Sequence, residues 1–215
     1  MPNYQSDLFS ALSDSKEQIY PDVYRLSRFT KTDKLHKSLG PILQHSPFRK
    51  MMTPNGHYTN IAFTNCGEYG WVSNKVRYQY LDKDPLNNQP WPPMPQIFKD
   101  LAANAALEAG YSHFMPDSCL INQYLIGSKL GSHQDKNEKD FNHPIVSVSI
   151  GLTAIFQIYG KTRSGIKAQF PLYDGDVMVW GDSARLMYHG VKSLTAAPLK
   201  PNLTQRVNLT FRKSH

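Results

Sequence analysis

A mainly β fold with flanking α-helices, organised around a double-sheet jelly roll (a double-stranded β-helix), is predicted by three features of this sequence. From Ser118 onward, seven short stretches carry β patterns, at 120–125, 145–150, 154–159, 168–172, 176–180, 186–191 and 204–212. Gly151, Gly160 and Gly175 punctuate them as turn residues. Ahead of them, apolar residues recur at helical spacing instead.

Up to about Thr30 there is little periodicity, and the spacing predicts a helix over 32–44 interrupted by the Gly40-Pro41 breaker. A clearer helix is predicted over 95–109. Pro95 suits its first turn, Ile97, Leu101 and Ala105 recur at four-residue spacing, and Gly110 suits a C-terminal cap. In 119–125, alternation puts Asn122 and Tyr124 on one face, either as hydrogen-bond donors to a carboxylate or as satisfied polar groups of a core strand. The last strand alternates strictly: Val207, Leu209 and Phe211 on one face, Arg206, Asn208, Thr210 and Arg212 on the other. Two guanidiniums on an enclosed face need an anion, and a dicarboxylate would satisfy both, whereas on an edge strand they would simply meet water.

A length of 215 residues and a hydrophobic content of 40% allow one core, and no repeat, low-complexity tract or long linker divides the chain, so one domain over 1–215 is expected. No apolar run approaches the roughly 18 residues of a membrane span, and the polar start Met1-Pro2-Asn3-Tyr4-Gln5-Ser6-Asp7 is unlike a signal peptide, which together predict a cytoplasmic protein without membrane contact. Cys66 and Cys119 are too few for a secreted disulfide framework and are expected as buried thiols. A net charge of +7 and a pI near 9.3 favour a polyanionic partner such as nucleic acid.

The chemistry-bearing motif is His133-Gln134-Asp135, with a second histidine, His189, far downstream in Met187-Tyr188-His189-Gly190-Val191. In an extended segment His133 and Asp135 project the same way and can reach one ion, while His189 must arrive from a distant strand. Two imidazoles and a carboxylate on one face of a metal leave the opposite positions open, the arrangement of oxygen-activating Fe(II) enzymes. Alone the pair is weak, because the polar run Lys136-Asn137-Glu138-Lys139-Asp140 reads as a solvated turn. His36, His45, His57, His113, His143 and His215 have no partner at ligand spacing and are expected to be surface or structural.

Taken in order, these pieces resemble the AlkB family of Fe(II)- and 2-oxoglutarate-dependent dioxygenases that repair alkylated nucleic acid bases, most closely its bacterial DNA-repair branch. The resemblance runs from Ser46-Pro47-Phe48-Arg49 through Thr64-Asn65-Cys66-Gly67, Trp91-Pro92-Pro93-Met94-Pro95, Asn122-Gln123-Tyr124, His133-Gln134-Asp135-Lys136 and Pro144-Ile145-Val146-Ser147-Val148-Ser149 to Asn208-Leu209-Thr210-Phe211-Arg212. It implies the jelly roll over 118–212, helices buttressing one sheet, and a substrate-reading lid within 45–95, formed by about 53–80. It also implies Fe(II) on His133, Asp135 and His189, with O2 and 2-oxoglutarate as co-substrates. Arg206 would take the far carboxylate and Arg212 the iron-side one, with Asn122, Tyr124 and Asn208 adding hydrogen bonds. Succinate and carbon dioxide would form, an N-methyl group would be hydroxylated, and the product would release formaldehyde.

Such chemistry needs the base out of its stack. Trp71 and Tyr78, otherwise readable as core residues of a β-hairpin, match the base-stacking and phosphate-contacting positions, and Thr53, Tyr80 and Arg163 match further substrate-side ones. Asn137 departs from the pattern, standing where the bacterial relatives have an aspartate, and Phe63 replaces a methionine. The implied partner is alkylated DNA, single strands preferred, with RNA as a further candidate, for a monomer. Two alternatives differ in class: a dioxygenase acting on a tRNA base or a protein, and a non-catalytic nucleic acid binding module. The completeness of three iron ligands and two arginines argues against the latter.

Overall fold

The computed structural model describes residues 16–199 and 201–215, and the polar start Met1 to Asp7 lies outside them. Its first strands are β1 (Lys16–Tyr20), β2 (Val23–Leu26), β3 (Ala62–Gly67), β4 (Gly70–Ser73), β5 (Tyr78–Leu81), β6 (Ser118–Leu125) and β7 (Leu130–His133). They continue with β8 (Ile145–Gly151), β9 (Ala154–Gly160), β10 (Ala168–Leu172), β11 (Val177–Trp180), β12 (Tyr188–Val191) and β13 (Gln205–Arg212). Among the described residues two helices, α1 (Asp33–His45) and α2 (Gln96–Glu108), precede β6. A seven-stranded sheet runs β1-β2-β11-β8-β13-β6-β3, a four-stranded sheet runs β10-β9-β12-β7, and β4 and β5 form a separate hairpin. Neighbours in both large sheets are antiparallel.

Each face of the large sheet has its own core. Val207, Leu209 and Phe211 of β13 join Leu35, Leu39, Phe98, Leu101 and Ala105 of the helices, with Phe98 edge-on to Phe211 at 6.0 Å. Burying such a side chain stabilises by about 1.5–3 kcal/mol. Phe156, Trp180, Tyr124, Leu120 and Met178 fill the gap between the sheets instead. The alternation of β13 is therefore real, but its polar face does not meet water. β13 lies centrally between β8 and β6, and Arg206, Asn208, Thr210 and Arg212 are all buried.

Several expectations need correction. Gly40-Pro41 does not break α1, which continues to His45, because Leu35, Leu39 and Ile42 bury one face of the helix and tertiary packing outweighs the missing amide. α2 starts one residue late, with Pro95 as its N-cap, and ends before Gly110, whose φ of +101° favours glycine. The supposedly featureless stretch before Thr30 contains the β1–β2 hairpin, which extends the large sheet through β2–β11 pairing. The expected lid over 53–80 is divided: β3 pairs with β6 inside the large sheet, and only the flanking loop and the β4–β5 hairpin stand outside it. Cys66 and Cys119 face each other across β3 and β6 as fully buried free thiols. No helix among the described residues is long and apolar enough to cross a membrane.

Asp84 ties the end of α1 to the loops around β3. It accepts paired bonds from Arg49 Nη1 and Nη2, both at 2.7 Å, one from Ser46 Oγ at 3.2 Å and one from the Leu86 amide at 3.0 Å. Burial alone would raise its carboxyl, but the Arg49 and Leu86 bonds hold it below the ordinary value of 3.8. The unfolded chain therefore takes up this proton first as pH falls. Asp84→Asn is expected to lower stability by about 1–3 kcal/mol near neutral pH. In urea melts from pH 6 to pH 3, the gap to wild type should hold above the ordinary carboxylate value and narrow below it.

Candidate metal and co-substrate site

Antiparallel pairing of β12 with β7 places His189 directly opposite His133. The approach depends on Gly190, where a Cβ would lie 2.8 Å from the Leu130 carbonyl oxygen. Asp135 follows two residues after His133, and one ligand atom from each of the three lies within 4.8 Å of the others. His133 Nε2 is 3.8 Å from Asp135 Oδ1, and His189 Nε2 is 3.8 Å from Asp135 Oδ2. Each ring is oriented from behind, since His133 Nδ1 lies 2.9 Å from the Gly131 carbonyl and His189 Nδ1 lies 3.2 Å from that of Met187. A carbonyl can only accept, so both Nδ1 atoms donate to it, which turns each Nε2 toward the carboxylate.

The electrostatics keep this set in metal-binding form. Burial and the neighbouring His133 pull His189 down to about 4, so its imidazole is neutral at physiological pH. Burial would raise the Asp135 carboxyl, but Arg212, His189 and His133 outweigh it and hold it well below the usual range. Trp180 and Phe156 pack on the His189 ring at 5.1 and 5.6 Å and exclude water from that side.

The facing sheet supplies the cations. Register puts Tyr124 opposite Arg206 and Asn122 opposite Asn208, so the four polar groups share the inter-sheet gap. Asn122 Nδ2 donates to Asn208 Oδ1 at 3.0 Å, Arg206 Nη2 donates to Ser149 Oγ at 2.9 Å, and the Arg206 guanidinium lies 5.0 Å from the Tyr124 ring centre. Arg212 Nη2 donates to Asp135 Oδ2 at 2.8 Å. Arg206 Nε and Nη1 and Arg212 Nε and Nη1 are buried without a hydrogen-bond partner among the described residues. Buried unpaired guanidinium donors call for an anion. A dicarboxylate fits them, and the donor set of two imidazoles and one carboxylate fits Fe(II).

His133, Asp135, His189, Asn122, Tyr124, Arg206, Asn208 and Arg212 line one cavity of about 580 Å³, together with Thr53, Trp71, Tyr78, Asn137 and Arg163. At its mouth Trp71 and Tyr78 stack at 5.5 Å, 13° from parallel, and Phe63 tilts against Trp71 at 5.7 Å. Trp71 Nε1 donates to Asn137 Oδ1 at 3.1 Å, and Arg163 Nε donates to the Ser132 carbonyl at 3.3 Å. Tyr80 is not among the lining residues; its hydroxyl donates to Glu138 Oε1 at 2.6 Å.

Glu138 and Arg185 escape the sequence reading. Glu138 belongs to the run expected as a solvated turn, yet it is only 6% exposed and Arg185 only 3%. They pair at 3.2 Å, and Arg212 Nε lies 3.4 Å from Glu138 Oε1. Nothing in Lys136-Asn137-Glu138-Lys139 separates an inward glutamate from its outward neighbours. Arg185 likewise lies in the turn just after a 3₁₀ helix (Asp182–Ala184), where no periodicity marks a buried side.

The 2OG-Fe(II) oxygenase superfamily model matches residues 22–212. The chain is 44% identical over 210 residues to the alpha-ketoglutarate-dependent dioxygenase AlkB of Escherichia coli K12, covering 97% of each chain. It is 29% identical over 128 residues to the nucleic acid dioxygenase ALKBH1 of Mus musculus, covering 60% of this chain and 33% of that one. The solved structure of OsALKBH1 superposes with a TM-score of 0.77 at 26% identity, covering 92% of this chain and 99% of that one. Two facing sheets, a His/Asp/His cluster between them and this similarity along nearly the whole chain lead to one conclusion: the protein belongs to the AlkB family of Fe(II)- and 2-oxoglutarate-dependent dioxygenases.

Proposed function

We propose that this protein reverses alkylation damage by oxidative demethylation of N-alkylated bases such as 1-methyladenine and 3-methylcytosine in DNA, with RNA as a second polymer. The observation that carries the reading is a single cavity with His133, Asp135, His189 and two incompletely paired guanidiniums inside and a Trp71–Tyr78 stack at its mouth. When bound, Fe(II) with 2-oxoglutarate and O2 supplies the oxidising power that hydroxylates the N-methyl carbon, leaving succinate, carbon dioxide and, once the hydroxymethyl group departs, formaldehyde.

The chain's own residues do the rest. His133, Asp135 and His189 hold the metal through Nε2, Oδ and Nε2. Arg206 binds the far carboxylate of 2-oxoglutarate with Tyr124 beneath it, and Arg212 binds the near one. Asn122 and Asn208 complete the polar wall. Trp71 receives the extruded base on its face, while Tyr78, Thr53 and Arg163 meet base or phosphate at the rim. Tyr80, set behind the cavity, supports the hairpin rather than touching substrate. A recessed site favours single strands, whose bases need no unpairing before they enter. The net charge of +7 favours the polyanion. We further assign one domain over residues 1–215, a monomer without membrane contact, and the cytoplasm, where the facing thiols of Cys66 and Cys119 stay reduced.

Incubation of a single-stranded oligonucleotide carrying 1-methyladenine with the protein, Fe(II), 2-oxoglutarate and air should remove the methyl group in step with succinate formation. His133→Ala should yield neither product; succinate without demethylation would direct the search to another substrate. Mn(II) at about a hundred times its dissociation constant should stabilise wild type by about 2.7 kcal/mol in denaturant melts, and this gain should vanish in Asp135→Ala. Asn137 offers the base an amide instead of a charge, so Asn137→Asp should raise preference for cationic 1-methyladenine over a neutral lesion. The expected change is about five-fold, the equivalent of about 1 kcal/mol for a solvent-exposed charge pair. Unchanged competition kinetics between the two lesions would reject that role.

A further inference from the structure

We propose that Glu138 is a positioning residue for the co-substrate, holding the Arg212 guanidinium turned toward the cavity and, through Tyr80, linking that orientation to the β4–β5 hairpin. This rests on the dioxygenase reading above and on the assignment of Arg212 to a carboxylate.

Three groups converge on the buried Glu138 carboxylate. Tyr80 donates its hydroxyl to Oε1 at 2.6 Å, Arg212 Nε lies 3.4 Å from the same oxygen, and Arg185 Nη2 lies 3.2 Å from Oε2. Arg185 reaches back to the metal ligand's backbone, donating from Nη1 to the Asp135 carbonyl at 2.9 Å and from Nε to the His143 carbonyl at 3.0 Å. Arg212 thus lies between two carboxylates, bonded to Asp135 through Nη2 and with the Glu138 charge beside Nε, while Nε and Nη1 have no hydrogen-bond partner among the described residues.

The charge arrangement explains why the sharing matters. Without the negative charge of Glu138, Arg212 and Arg185 would both face Asp135 alone, and Arg212 would close on the metal ligand instead of presenting its free edge to an incoming anion. A planar fork can serve a carboxylate only when its plane is held by neighbours. The hairpin grips this region at two points: Tyr80 and Trp71 are cross-strand partners, one bonded to Glu138 and the other to Asn137. A shift of the hairpin therefore moves the carboxylate that orients Arg212.

The test titrates 2-oxoglutarate into Mn(II)-loaded protein under nitrogen by calorimetry, so that no turnover is needed. Glu138→Gln, Tyr80→Phe, the double variant and Arg212→Lys are compared with wild type, and Mn(II) affinity and melting temperature are recorded for each. We expect Glu138→Gln to weaken 2-oxoglutarate at least about ten-fold, the scale on which supporting shells act, with Mn(II) affinity little changed. Tyr80→Phe should weaken it about three-fold in the same direction, and the double variant should be no weaker than Glu138→Gln, as for residues acting as one unit. Should Glu138→Gln fail to fold, Tyr80→Phe, which removes no charge, carries the test. Wild-type affinity in Glu138→Gln or Tyr80→Phe beside a weakened Arg212→Lys would overturn the proposal and leave the dioxygenase reading intact. Wild-type affinity in Arg212→Lys would remove the carboxylate assignment and the proposal together, and equal losses of Mn(II) affinity and melting temperature in Glu138→Gln would reduce Glu138 to a structural residue and overturn it too.

Discussion

Burial of the Arg206 and Arg212 guanidiniums between two packed sheets is the constraint on which the rest of the site depends. A desolvated charge costs several kcal/mol unless it is paired and hydrogen-bonded, so the surrounding residues must supply acceptors or leave room for a ligand that does. Both solutions are present. Arg212 is matched by Asp135 and Glu138, whereas Arg206 has no carboxylate and only Ser149 and the Tyr124 ring. The asymmetry marks the Arg206 end as the one that most needs an anion from outside.

The same constraint explains the division of labour between the sheets. The large sheet is backed by α1 and α2, and its central strands β13 and β6 carry the buried arginines, amides and Tyr124 that face the inter-sheet gap. The small sheet carries the two histidines on neighbouring strands, where cross-strand register sets their separation. Asp135 lies just beyond β7 and bridges the two sets, facing His133 and His189 on one side and Arg212 on the other. A carboxylate pulled by a guanidinium and two imidazoles stays ionised, which is the form a divalent cation requires.

Part of the cavity lining comes from outside the two large sheets. The loop around Thr53 and the β4–β5 hairpin stand outside the large sheets, and hydrogen bonds from Trp71 to Asn137 and from Tyr80 to Glu138 attach the hairpin to the site. The His/Asp/His cluster and the buried arginines are thereby carried by the sheets and the segment just beyond β7, and part of the cavity lining by the hairpin and the loop before β3.

The sequence by itself determined the jelly-roll class, most strand positions, the His133/Asp135/His189 set and the polar face of β13, because periodicity and ligand spacing are local properties. It could not determine that β13 is central, since an alternating strand looks the same at an edge until its neighbours are known. Nor could it reveal β1, β2 or β7, short strands whose stability comes from pairing, with β11 and β12, rather than from propensity. Glu138 and Arg185 became legible only in three dimensions. A charged residue in a polar run is assigned to solvent by every local rule, and only the meeting of β13, the turn before β12 and the hairpin encloses these two as a pair, with Arg212 and Tyr80 also on Glu138.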